Sequence, residues 1–276
     1  MSLHESTRIN SFGKQSVFTT RQAKIKLKEL ELPHLIHQNV LAIIKQHQNL
    51  DKFAEKGLTP KDKIFLEGAS GTGKTSSVEA IASELKRPYK LFKLDTLSPT
   101  DATTAFDALN RAFDEINQEP PAVYVFDEFD AISGGRQKGI NNPILRAITN
   151  KLIEHFDNKN GYSILVCTTN HSELVDAAFK TRFDTICRFE NPSITLREKA
   201  IRELLKIKLS FATDDEIKHA AEKTEGLSFR EISNLIQDSI KRTIIEPEYN
   251  PEEGILFTPE LANVEIRRQN HKEITF

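Results

Sequence analysis

Apolar and polar residues follow two periods along this chain, and the periods take turns. From Leu32 to Ala54, "LPHLIHQNVLAIIKQHQNLDKFA" places apolar residues three and four positions apart, as one face of a helix requires, and "GLTP" ends the pattern. "KIFLEG" then reads as a strand, Thr75 to Lys86 as a helix stopped by Pro88, "YKLFKLD" as a strand, Asp101 to Ile116 as a helix and "AVYVF" as a strand. Pro143 to Phe156 predicts another helix, "YSILVC" a fourth strand and "DTICRF" a fifth. Strands separated by helices predict an α/β fold, with a five-stranded parallel sheet covered by helices on both faces. "AVYVF" and "SILVC" carry no charge, which suits central strands, whereas Lys90, Lys93 and Arg188 put the second and fifth strands at or near the edges.

After Pro192 the strand signals mostly stop. "TLREKAIRELLKIKL", "DDEIKHAAEKT" and "SFREISNLIQDSIKRTII" have helical spacing, and "TPELANVEIRRQ" opens with a Thr cap and Pro at the first helical position. A small all-α domain over 193–276 therefore follows an α/β domain over 32–192. Residues 1–31 are polar and mildly basic, with Lys24, Lys26 and Lys28 close together. They read as an N-terminal arm, either solvated or touching phosphate or a neighbouring subunit.

Composition narrows the setting. Apolar residues at 38% and charged residues at 28% of 276 describe an ordinary globular chain, and a net charge of -2 gives no global pull toward nucleic acid or acidic membranes. Cys167 and Cys187 lie in apolar stretches and make no disulfide framework, which fits a reducing compartment. The N-terminal stretch lacks an apolar signal region, and no run approaches the ~18 residues needed to cross a bilayer. The expectation is a cytoplasmic protein with no membrane association.

The chemistry begins at "GASGTGKT", Gly68 to Thr75, which matches G-x-x-x-x-G-K-[ST]. Glycines let consecutive backbone N–H groups approach a phosphate, and the following helix adds its positive end. Lys74 supplies a mobile charge, and Thr75 offers a hydroxyl to Mg²⁺. With Gly68 and Gly73, the residues Ser70, Gly71, Thr72 and Ser76 complete the expected nucleotide-contacting set. A dinucleotide-binding G-x-G-x-x-G pattern is excluded, because position 76 is Ser where the third glycine should stand.

"AVYVFDEFDAI" ends an apolar strand on two adjacent carboxylates, which repel each other unless something positive or reactive lies beside them. In a parallel α/β sheet, ligands lie beyond the carboxyl ends of the strands, so Asp127 and Glu128 face the same crevice as the phosphate loop. Asp127 would hold Mg²⁺, usually through its water shell, and Glu128 would orient and deprotonate the water that attacks the γ-phosphate. Asn170, at the end of "SILVCTTN", could hydrogen-bond that water and the phosphate, or could be an ordinary turn residue. Arg182, in "DAAFKTRFD", could stabilise transition-state charge in a neighbouring subunit, or could pair the last carbonyls of a short helix.

In that order, "GASGTGKT", "VYVFDEFDAI", "ILVCTTN" and "VDAAFKTRFD", followed by "GLSFREISNLI", closely resemble the AAA ATPases over roughly Leu32 to Ile245. The pattern looks most similar to a bacterial single-module branch often encoded beside a subtilisin-like protease and linked to plasmid or phage-defence loci. The resemblance implies strand order 5-1-4-3-2, a helical lid, ring assembly that is usually hexameric, and hydrolysis of Mg-ATP. It assigns Gly68, Gly73, Lys74 and Thr75 to the Walker A loop, Asp127 and Glu128 to Walker B, Asn170 to sensor 1 and Arg182 to the trans-acting finger. Arg230 stands where many wider relatives place a sensor 2 arginine. One departure concerns the pore: Asp101, Ala102 and Thr103 occupy the three positions where unfoldases carry an aromatic, an aliphatic and a glycine. These residues offer far less contact area than a ring. The expected function is thus an ATP-hydrolysing ring that remodels or gates a specific protein partner, plausibly a subtilisin-like protease. A threading unfoldase and a nucleic-acid-associated loader are the alternatives.

Overall fold

In the computed structural model of the chain, the described residues are 16–97, 101–133, 142–207 and 212–245. The helix expected from "TPELANVEIRRQ" lies outside them. Among the described residues the strands are β1 (Thr19–Arg21), β2 (Lys63–Gly68), β3 (Tyr89–Lys93), β4 (Val123–Asp127), β5 (Ile164–Thr169) and β6 (Thr185–Phe189). They form one sheet in the order β1-β3-β4-β5-β2-β6. The sheet differs from the expected five-stranded, all-parallel one in order 5-1-4-3-2 by a sixth strand, β1, which runs antiparallel to β3 with Thr19 opposite Leu91. The other pairings are parallel. Three residues are too few to show a strand period, so β1 exists through its pairing rather than its sequence.

Burial follows the charge pattern. All six residues of β5 are buried, as a strand between two neighbours and two helical layers requires. On the edge strand β6 burial alternates, with Thr185, Cys187 and Phe189 inward and Ile186 and Arg188 outward. The Lys90 ammonium of β3 is not left to solvent at an edge: it pairs with the buried Glu115 carboxylate at 2.7 Å, which also accepts from the Ser16 hydroxyl at 2.7 Å.

The helices are α1 (His34–His47), α2 (Leu50–Glu55), α3 (Lys74–Leu85), α4 (Ala102–Gln118), α5 (Asp130–Ser133), α6 (Pro143–Asp157) and α7 (Ala177–Lys180), then α8 (Ile194–Ile207), α9 (Asp214–Lys223) and α10 (Phe229–Ile245). The single helix expected over 32–54 is two, because the chain leaves helical geometry at Asn49. Asp101 is the N-cap of α4 and accepts from the backbone N–H groups of Thr103 and Thr104 at 3.0 and 3.2 Å. Phe113 of α4, Leu152 and Phe156 of α6, and Tyr124 and Phe126 of β4 share one core. Phe18, next to β1, enters the same core with its ring 4.8 Å from Tyr124 and 5.7 Å from Phe92.

The chain divides into two units. The first comprises Met1–Leu30, His34–Gly68 and Lys74–Phe189, and the second Glu31–Pro33, Ala69–Gly73 and Glu190–Phe276. In the first, the described part of the N-terminal arm is held rather than solvated: Glu79 Oε1 accepts from Lys24 N at 2.8 Å, and Glu84 Oε1 from Leu27 N at 3.3 Å. The second has its own core of Ile201, Leu205, Ile217, Ile232 and Ile236. Its helices α9 and α10 start on capping boxes, Thr213 with Glu216 and Ser228 with Glu231.

If Phe18 fastens the arm, Phe18→Ala lowers the unfolding free energy by about 3 to 5 kcal/mol. Urea titration followed by fluorescence or circular dichroism reads this as a lower midpoint at unchanged slope.

Candidate functional site

Gly68 ends β2 with φ +141°, and a Cβ there would lie 2.0 Å from the carbonyl oxygen of Phe189 on β6. No side chain fits, so the glycine is needed where the strand turns into the loop. Gly71 and Gly73 also have positive φ, at +80° and +108°. Within the second unit, a Cβ on Gly71 would meet Arg230 Cβ and Ser228 Oγ, each at 2.7 Å. The Arg230 guanidinium donates to Ser70 Oγ at 3.1 Å and its backbone N–H to Gly71 O at 3.3 Å. Arg230 and the loop tip are thus neighbours, and Thr72 braces the tip by donating its hydroxyl to Ala69 O at 2.7 Å.

In the first unit, Lys74 opens α3 and is 8% exposed. Its ammonium donates to Gly68 O at 2.5 Å and to Asn170 Oδ1 at 2.9 Å. Two residues 96 positions apart in sequence are joined here, and the pair spans the carboxyl ends of β2 and β5. Thr75 is exposed and Ser76 half-buried at the start of α3. Asp127, at the end of β4, accepts from the Thr168 hydroxyl of β5 and from the backbone N–H of Glu128 at 3.1 Å. Lys74, Asn170 and Asp127 accordingly stand at one end of three adjacent strands.

Glu128 has φ +59°, a left-handed conformation that costs a side-chain-bearing residue about 1 to 2 kcal/mol. The turn holding it is tied down on both sides. Phe129 N donates to Thr168 O at 3.0 Å, and the Phe129 ring stacks on Phe179 of α7 at 4.1 Å. The Glu128 carboxyl is raised above the usual carboxylate range, first by burial, then by a hydrogen bond with Asp95 and by the charges of Asp95 and Asp127, with Lys93 opposing.

Arg182 is apart from this group. It follows α7, donates its backbone N–H to Phe179 O at 3.0 Å and faces Asp157 of its own chain, Nε to Oδ2, at 3.7 Å. Three polar contributors escaped the sequence reading. Thr168 holds Asp127, Asp95 faces Glu128, and Glu67 lies buried beside Gly68 between Lys180 at 2.7 Å and Arg188 at 2.8 Å. Glu67 carried a signal, an acid near the end of a strand whose middle is apolar, but its partners became visible only with the sheet order.

A glycine-rich turn after β2, a lysine opening the next helix and an acid at the end of β4, two strands across, are the parts of a nucleotide-binding domain of the phosphate-loop class. Residues 64–191 match the family described as "ATPase family associated with various cellular activities (AAA)", and that stretch is similar to AAA-family ATPase domains. It is 31% identical over 207 residues to an uncharacterised AAA family ATPase of Sinorhizobium fredii, covering 75% of this chain and 62% of that one. A putative 26S proteasome regulatory subunit homolog of Methanocaldococcus jannaschii is 26% identical over 235 residues, covering 84% and 62%. The chain thus spans about six tenths of the length of both relatives. The crystal structure of the FIGL-1 AAA domain shares the fold, with TM-score 0.68 at 18% identity over 90% of this chain and 84% of that one. Among the described residues no helix is long and apolar enough to cross a membrane.

Because the Glu128 carboxyl is raised in the folded protein, it favours folding while protonated, and that contribution is lost as pH rises through its folded value. Glu128→Gln, which cannot ionise, should therefore unfold at a higher temperature than the wild type at pH 7. The difference should vanish below about pH 4, where the unfolded carboxyl is protonated as well. Thermal unfolding of both proteins across that range checks it.

Proposed function

We propose that the chain hydrolyses ATP with Mg²⁺ and works as a ring, usually of six copies, that remodels or gates a specific protein partner of the subtilisin-like protease class. The observation carrying the ATPase reading is the Lys74 ammonium held between Gly68 O and Asn170 Oδ1, a buried positive charge between the loop and a neighbouring strand end. Such a charge is stabilised when a phosphate comes within reach. The oxygen donors suit Mg²⁺: one carboxylate, Asp127, and one exposed hydroxyl, Thr75, leave most positions to phosphate and water. When bound, the ion neutralises charge on the phosphates.

The remaining work belongs to this chain. Backbone N–H groups of the Gly68–Thr75 loop, with the contacting residues Ser70, Gly71, Thr72 and Ser76, hold the phosphate tail. Lys74 neutralises it. Glu128, whose raised carboxyl makes it a readier proton acceptor than an ordinary glutamate, takes the proton of the attacking water. Asn170 orients that water against the γ-phosphate. Arg230, whose guanidinium donates to Ser70 Oγ at 3.1 Å, contacts the nucleotide beside that hydroxyl.

Arg182 supports the ring reading by how loosely its own chain holds it. The pair with Asp157 is long at 3.7 Å and nearly half exposed on both sides, and such surface pairs contribute only about 0 to 1 kcal/mol. A phosphate of a neighbouring copy would be a stronger acceptor. Gating is favoured over threading by Asp101, whose carboxylate caps α4, leaving Ala102 and Thr103 to grip polypeptide. The proteasome-regulatory name of the methanogen relative supports a protease as the kind of partner.

Phosphate release and native mass, each with and without ATP, test the reading. Glu128→Gln should hold an ATP-bound oligomer without turnover, and Arg182→Ala should bind ATP but turn it over on the order of 10³-fold more slowly. A wild type that stays monomeric at micromolar concentration and releases no phosphate would refute it.

A further inference from the structure

The four residues Asp127 to Asp130 hold three carboxylates, of which two already have a role. The third, Asp130, begins α5 and turns back onto the end of β5. Its Oδ1 accepts from the Thr169 hydroxyl at 2.6 Å and from the backbone N–H of Asn170 at 3.3 Å. Thr169 is 1% exposed, and its hydroxyl oxygen in turn accepts from His171 N at 3.0 Å. One carboxylate oxygen therefore sits at the root of Asn170, whose side chain reaches Lys74 at 2.9 Å.

We infer that Asp130 is a positioning residue for ATP hydrolysis: through Thr169 and the backbone of Asn170 it fixes where the Asn170 amide stands relative to Lys74 and the acids of β4. The inference rests on the role proposed for Asn170 and goes beyond it. The β5 ladder cannot supply this control, since its pairing with β2 ends at Thr169 opposite Glu67 and its pairing with β4 at Cys167 opposite Phe126. Asn170 lies one residue past the first of these ends and three past the second. Its backbone N–H is held by the Asp130 carboxylate instead, and a hydrogen bond to an ionised acceptor is about twice as strong as one between neutral groups. The same turn ties Asp127 to Thr168 and Phe129 to Thr168 O. Asp130 thus completes a set of cross-links that keeps the acids of β4 and the amide beyond β5 at one spacing, and positioning of this kind governs rates steeply.

The test is steady-state ATP hydrolysis, binding of a non-hydrolysable ATP analogue and thermal unfolding for Asp130→Ala, Asp130→Asn, Thr169→Val, Asn170→Ala and the double variant Asp130→Ala/Asn170→Ala. Asp130→Ala should lower kcat roughly 10- to 100-fold with analogue affinity changed less than about threefold. Asp130→Asn, which keeps an acceptor oxygen, should recover most of kcat. Thr169→Val removes only one hydroxyl and should show a smaller fall in kcat at near-native unfolding temperature, which keeps the question answerable should Asp130→Ala fold poorly. The double variant should be no slower than Asn170→Ala alone. If Asn170→Ala is slow while Asp130→Ala and Thr169→Val turn over like the wild type, or if the two losses multiply, Asp130 does not act through Asn170. If Asn170→Ala itself keeps full turnover, the role given to Asn170 falls, and this inference with it.

Discussion

The ammonium of Lys74 is the point on which the described geometry converges. It is nearly buried, and it donates to Gly68 O at the end of β2 and to Asn170 Oδ1 beyond β5. A buried ammonium is costly unless acceptors surround it, so each neighbouring feature can be read as meeting that requirement. Gly68 gives up its side chain because the Phe189 carbonyl occupies the space. Asn170 turns its amide oxygen inward, and the cross-links from Asp127 and Asp130 to Thr168 and Thr169 hold that strand end in place.

A second theme is how aromatic packing carries polar groups. Phe129, inside the acidic turn, stacks on Phe179 of α7, and Phe179 packs edge-on to Phe183 at 5.0 Å. Lys180 and Arg182 leave the same short segment in different directions, one to the buried Glu67 beside the phosphate loop and the other to the half-exposed Asp157. Four residues of helix would not hold their shape alone. The ring stack holds α7, and through it the distance between the turn after β4 and the arginine proposed to serve a neighbouring copy.

Much of this was legible in the sequence because the signals are local. Gly68 to Thr75 is a contiguous stretch, Asp127 and Glu128 are adjacent, and the uncharged runs of β4 and β5 announce central strands. What escaped depends on residues far apart in sequence. Strand β1 is three residues that show themselves only in their pairing with Leu91, Lys90 and Tyr89 of β3, so the sheet was expected with five strands and has six among the described residues. The rest of the arm, after it, reads only as polar, because the partners of its Lys24 and Leu27 backbone N–H groups, Glu79 and Glu84, lie more than fifty positions away. Asp130 carries no local signal of its role, since its partners lie 39 and 40 residues on. Asn49 interrupts what reads as one helix, because apolar spacing persists through a break in the backbone.

The central claim is that Lys74 anchors a triphosphate at the end of β2 and β5. Titration of a fluorescent non-hydrolysable ATP analogue with Mg²⁺ against the wild type and Lys74→Met tests it most directly, with thermal unfolding confirming that both proteins are folded. The account predicts a Kd at least on the order of a hundredfold weaker for the variant, about 2.8 kcal/mol. Equal affinities for the two folded proteins would contradict it.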